Sequence, residues 1–177
     1  MARLNVVDPA AATGDVKEIF DGPLKGKHLN IFKGMGNSAA ALNFYLNGSG
    51  ALGKASLSAK EQEVVQLVFA QGNNCGYCQA AHTHIGQGAG LTEDQTIAAR
   101  TNGDLGDEKL TAITRFANAV HANRGAVSDG DISDFKAAGY DDGAIAEVVA
   151  VAALATYTNY FNSVNSTEID LPIPQSV

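Results

Sequence analysis

The sequence is short of charge. Asp, Glu, Lys and Arg make up 18% of its 177 residues, against about 25% in an average globular protein. So few charges on a folded chain point to surface covered by another subunit, although 19 glycines and many alanines lower the fraction as well. Basic residues are the scarcer kind: 12 Lys and Arg stand against 19 Asp and Glu, for a net charge of −7. They form no run, and a surface of this sign repels a polyanion, which excludes nucleic acid as a partner. Long apolar runs are also missing. The longest is Val148 to Ala155, whereas a membrane span needs about 20 residues, so no membrane partner is expected. Met1 to Pro9 has no continuous apolar stretch and meets Asp8 and Pro9 early, unlike a secretory signal; a cytoplasmic protein is expected. No GK[ST] follows Gly34-Met35-Gly36, so this is not a phosphate loop. Sustained period-two alternation is absent, which argues against β-strands.

What is present is helical. Ser58-Ala59-Lys60-Glu61 reads as a capping box, and Val64, Leu67, Val68 and Gln71 then follow along one stripe until Gly72-Asn73-Asn74. A second helix starts near Asn74 or Cys75 and runs to Ala89, with Gly90 as its stop. Thr92-Glu93-Asp94-Gln95 is another capping box, opening a short helix to about Arg100. Leu110, Ile113, Phe116, Ala117 and Val120 give a helical period between Asp107 and Asn123. Ser128 or Asp129 caps the next helix, which Gly139 closes. Asp141-Asp142 opens the last, whose apolar residues run nearly all the way round to about Val164; such a helix is central or lies at a subunit interface. The prediction is an all-α fold, an antiparallel helical bundle forming one domain over residues 1–177. Its core spans about 37–165. The first ~35 residues read as irregular because Gly22-Pro23, Gly26, Gly34 and Gly36 interrupt them, and prolines 172 and 174 make the tail extended.

Only two cysteines occur, at positions 75 and 78. A reducing compartment disfavours purely structural disulfides, and a single CxxC there points to redox or metal chemistry. On a helix, Cys78 and His82 are four residues apart and Cys75 lies three before Cys78, so the three side chains share one stripe. Thiols in a first turn meet free N–H groups and the positive end of the helix dipole, which favours thiolate, and His82 can take or give the proton. Glu63 lies beside the apolar stripe of the preceding helix and is not needed for its cap. It reads either as a solvated carboxylate or as a partly buried general base. The cysteines themselves read as a redox pair, as an inert core pair, or as zinc ligands with His82 and one of His84 or Glu63. His84 points about 200° round the helix from His82, a poor geometry for a shared ion, so no metal is expected. His28 and His121 show no partner pattern, and Asn159 and Asn162 read as satisfying helix-end or interface hydrogen bonds.

Glu63, eleven residues, and then Cys75-Gly76-Tyr77-Cys78-Gln79-Ala80-Ala81-His82 resembles the E-x11-CxxC-x3-H signature of the AhpD-like alkylhydroperoxidases of the carboxymuconolactone decarboxylase superfamily. Leu57 to Gln62, Gly90-Leu91-Thr92, Gly139 to Asp142 and Asn159-Tyr160-Phe161-Asn162 are similar to the family as well, so the resemblance covers roughly 30–170. It implies an all-helical homo-oligomer that reduces alkyl hydroperoxides or hydrogen peroxide. By this resemblance Cys78 is the peroxidatic thiolate and becomes a sulfenic acid. Cys75 resolves it into a disulfide, and Glu63 with His82 relays the proton. No cofactor is bound; an external dithiol reopens the disulfide, and in the best-known branch that reductant is a protein-bound lipoyl group. That branch has a second histidine immediately before the second cysteine, where this chain has Tyr77. This places the chain among the broader peroxidase-related members. The decarboxylase branch lacks the CxxC, so decarboxylation is not implied. The remaining readings are a thiol–disulfide oxidoreductase or redox sensor with a protein partner, and a non-catalytic zinc-binding or structural oligomer.

Overall fold

The computed structural model describes all 177 residues. Nine α-helices and no strand make up the fold: α1 (Gly14–Asp21), α2 (Asn30–Met35), α3 (Ala39–Leu52), α4 (Ala59–Gly72), α5 (Gly76–Gly88), α6 (Glu93–Thr101), α7 (Glu108–Ala122), α8 (Asp129–Ala137) and α9 (Asp142–Asn165). The caps form where the sequence asks for them. Ser58, Thr92 and Ser128 each close a capping box with Glu61, Gln95 and Asp131. Asp107 and Asp141 accept from Leu110 and Ala144 N–H. A cap of this kind stabilises its helix by about 0.5–2 kcal/mol. Gly90, at φ +96°, supplies the left-handed turn that stops α5.

The central helix is α4, not α9. Every residue from Val64 to Ala70 is buried, because α5, α6, α7 and α9 all pack on α4. Burying each of its large apolar side chains contributes about 1.5–3 kcal/mol relative to exposure. α9 is long and apolar enough, by length and composition alone, to cross a membrane. In this fold one of its faces enters the core through Val148, Val151, Ala152 and Ala155, while Val149, Tyr160 and Val164 face outward.

The N-terminal region differs from the irregular segment expected. α1 and α2 form there and bury Phe20, Phe32 and Met35 in a second cluster with Leu42 of α3 and with Ala70, Cys75, Tyr77 and Cys78. The glycines fall between these short helices, so they end elements without preventing them. The two apolar clusters meet along α4, and the cysteines lie in the second, under the N-terminal helices. After Ser166, a left-handed C-cap, the tail forms no helix or strand. Asn30 holds it by donating from its backbone N–H to Asp170 Oδ2 (2.8 Å) and from its side chain to Glu168 O (3.1 Å).

Candidate redox-active site

Cys75 and Cys78 form a disulfide with their Cα atoms 5.3 Å apart. Their placement refines the single stripe expected from sequence. Cys75 is not in the helix but is its N-cap, at φ −94° and ψ 91°. Its backbone N–H donates to Ala70 O (2.9 Å), tying the cap to the end of α4. Its Sγ accepts from the Cys78 N–H at 3.3 Å, so a sulfur takes the position that a serine or aspartate oxygen usually holds. Cys78 sits in the first turn, and its Sγ accepts from Asn162 Nδ2 of α9 at 3.3 Å. Each cysteine is 2% exposed.

One turn beyond, His82 Nδ1 lies 2.8 Å from Glu63 Oε2 of α4, with 15% and 14% of the two side chains exposed. A carboxylate at Glu63 accepts the proton of Nδ1–H. Nε2 makes no hydrogen bond with the protein and is left as the basic nitrogen. The approach of α5 to α4 at this level depends on Gly86: a Cβ there would fall 2.9 Å from Leu91 Cδ1 and 3.5 Å from Glu63 Cβ. The structure also separates Glu63 from Glu61, two residues earlier. Burial alone would raise the Glu61 carboxyl. Hydrogen bonds from the Ser58 hydroxyl and N–H and from the Tyr140 hydroxyl, with Lys109 nearby, instead hold it below the ordinary carboxylate value. Glu61 is thus committed to the cap and to Tyr140, and Glu63 is the carboxylate that meets the histidine.

Glu63, Cys78 and His82 line one cavity of about 510 Å³, together with Tyr77, Gln66 and Asn162. Its wall is mostly apolar, from Ile31, Phe32, Leu57, Ile85 and Leu154. Cys75 does not line it and lies behind Cys78. A larger groove of about 800 Å³ runs between α7 and α8 and holds none of these residues. Tyr77 walls the cavity, and its hydroxyl also donates to Asp170 Oδ1 at 2.8 Å. Burial first, and then the bond to this carboxylate, push its pKa well above the ordinary phenol value. It remains a neutral donor that clamps the tail over the first turn of α5. Burial raises Tyr45 too, with Ser49 opposing and Glu63 adding to the shift.

The other histidines lie elsewhere. His84 lines a separate cavity on the far side of α5. His121 Nε2 is 3.1 Å from Asn73 Oδ1, and His28 packs edge-on against Phe20. Asn162 and Gln66 are site residues that the spacing argument missed. Asn162 carried a signal: the apolar face of α9 at Val148, Val151 and Ala155 turns polar at Thr158, Asn159 and Asn162 without leaving the core.

The family model of the carboxymuconolactone decarboxylase family matches residues 36–118, the segment that carries Glu63, Cys75, Cys78 and His82. No curated protein matches the chain. Among solved structures, the chain is similar to an uncharacterized peroxidase-related protein with an alkylhydroperoxidase AhpD core from Ralstonia eutropha JMP134. That likeness has 19% identity and a TM-score of 0.83, over 96% of this chain and 92% of that one. A peroxidase-related protein from Silicibacter sp. TM1040 is similar at 18% identity and a TM-score of 0.79, over 94% and 89%. The debrominase Bmp8, solved as a cysteine-to-alanine variant with 2,3,4-tribromopyrrole, is similar at 16% identity and a TM-score of 0.77, over 96% and 94%. The fold is that of AhpD-like proteins, and the match to the carboxymuconolactone decarboxylase family model spans the segment that bears the site.

Proposed function

We propose that the chain is a thiol-dependent peroxidase that reduces organic hydroperoxides in the cavity above Cys78. The observation that carries this reading is that Cys78 and the His82–Glu63 pair share one mostly apolar cavity, while the disulfide partner Cys75 sits behind Cys78. In the reduced protein His82 Nε2 takes the Cys78 thiol proton, and the Glu63 carboxylate stabilises the imidazolium. The thiolate attacks the distal oxygen of the hydroperoxide: an S–O bond forms and the O–O bond breaks. The leaving alkoxide takes the proton from His82 and departs as alcohol. Cys75 then attacks the sulfenic sulfur, forming the S–S bond and releasing water. An external dithiol returns the pair to thiols by two exchanges and leaves as its own disulfide. The apolar wall favours an organic peroxide over hydrogen peroxide. Burial of both cysteines favours a small substrate over a protein disulfide, which has no path to sulfurs so little exposed. A small dithiol or a lipoyl arm can enter by the cavity.

The test is a free-thiol count on the reduced protein before and after one equivalent of an organic hydroperoxide. Two thiols should fall rapidly to none and return with a dithiol. In Cys75→Ser the first turnover should still occur and leave a sulfenic acid at Cys78, detectable by dimedone labelling and intact mass. Thiols that survive peroxide in the folded protein, reacting only after unfolding, would defeat the proposal.

The same reading includes a homo-oligomer of this chain. Val149, Tyr160 and Val164 form an exposed stripe on α9, and Phe44 of α3, also exposed, packs beside it on Tyr157. The low charge fraction of the sequence fits an apolar surface of this kind covered by a second copy. Light scattering should return a multiple of 18.3 kDa; a monomeric mass at micromolar concentration would reject it.

A further inference from the structure

α5 has a second working face. Thr83, His84 and Gln87 line a separate cavity of about 150 Å³, whose other walls are Glu93, Thr96 and Arg100 of α6 and residues 172–175 of the tail. Arg100 is 6% exposed and takes part in no ion pair. Its Nε donates to Thr96 O of its own helix at 3.3 Å, and neither Nη group makes a hydrogen bond with the protein. A guanidinium without a counter-ion is costly to bury, and burial holds the Arg100 pKa below its usual value. Thr83 is 8% exposed, and its Oγ1 has no hydrogen-bond partner. Thr96, by contrast, is satisfied by donating to Glu93 O at 2.7 Å. A buried hydroxyl without a partner and a guanidinium whose Nη groups bond to nothing in the protein therefore line the same small cavity.

We propose that this cavity binds a small oxyanion: a phosphate, a sulfate or the carboxylate of a small acid. The forked Nη donors of Arg100 take two of its oxygens, and the Thr83 hydroxyl donates to a third atom or shares one. The Gln87 carboxamide and the His84 ring complete the polar lining. Glu93 is the one carboxylate in the lining and makes no ion pair with Arg100. Its repulsion limits affinity and favours singly charged anions. At ~30 Å³ per water, the volume suits one such group and excludes a large organic ligand. The site is distinct from the cavity above Cys78, and the proposal stands without the peroxidase reading.

Isothermal titration with inorganic phosphate, sulfate and acetate, each at an ionic strength fixed with chloride, tests it. Saturable binding of one anion per chain is expected for at least one of the three. Preference for phosphate or sulfate over acetate identifies a tetrahedral group, and the reverse identifies a carboxylate. Arg100→Gln should weaken that binding by roughly 10-fold or more, Thr83→Val by less, and Arg100→Lys should restore part of it. Should Arg100→Gln fail to fold, the Thr83→Val and Arg100→Lys titrations decide. No saturable heat with any of the three anions, or unchanged affinity in the folded variants, overturns the site.

Discussion

Cys78→Ser should reduce hydroperoxide consumption to the level of buffer. Loss of a covalent nucleophile typically costs on the order of 10³-fold or more, and here nothing stands in for it. Cys75 is the only other sulfur nucleophile nearby, and it does not line the cavity. The substitution should be gentle on the fold. A serine oxygen can still accept from Asn162 Nδ2, as the sulfur does. The helix cap also survives, because it uses the Cys75 sulfur and the backbone N–H of residue 78. Circular dichroism and the unfolding midpoint should stay close to those of the parent protein while consumption of cumene hydroperoxide disappears. Consumption that persists in Cys78→Ser would move the nucleophile elsewhere and undo the role assigned to it.

The second large effect is expected at Glu63. Glu63→Gln keeps an oxygen that can accept from His82 Nδ1–H but removes the negative charge that stabilises the imidazolium. General acid–base catalysis contributes about 10²–10⁴-fold, and the first-turnover rate at neutral pH should fall toward the lower end of that range. The pH–rate profile should change shape with it. Stability should alter little, because the pair is partly exposed and such ion pairs contribute about 0–1 kcal/mol. Stopped-flow oxidation of the reduced protein across pH 5–9 makes the comparison. A variant with the parent rate and profile would return Glu63 to an ordinary helix carboxylate.

Much of the fold is legible in the residues themselves. Short polar caps and helical apolar periods are local signals, and Ser58, Thr92, Ser128 and Asp141 start helices where they predict. The burial of α4 on every side is not legible, because Gln62, Gln66 and Gln71 interrupt its apolar pattern and its surroundings are set by helices distant in sequence. α3 gives no signal for a related reason: Leu42 is its one buried residue. In the site, the spacing of Cys78 and His82 is enough to place them together. Choosing Glu63 over Glu61 takes the family resemblance, and the structure supplies the physical reason in the Ser58 and Tyr140 bonds that occupy Glu61. Asn162 lies 84 residues from Cys78, so the polar turn in the face of α9 marks the residue without naming its partner. A cysteine as N-cap runs against the usual preference for oxygen-bearing side chains.

The bond between Tyr77 and Asp170 spans 93 positions, and that between Asn30 and Asp170 spans 140. Together they set a schedule for a nascent chain. At ~5–20 residues per second, the ribosome needs roughly 5–20 s to travel from Cys78 to Asp170. For that interval the first turn of α5 exists without the tail that seals it, and α9 has not yet delivered Asn162. The thiols are therefore most open to stray oxidants during synthesis, and the finished molecule protects them by closing its earliest, middle and latest segments at one point.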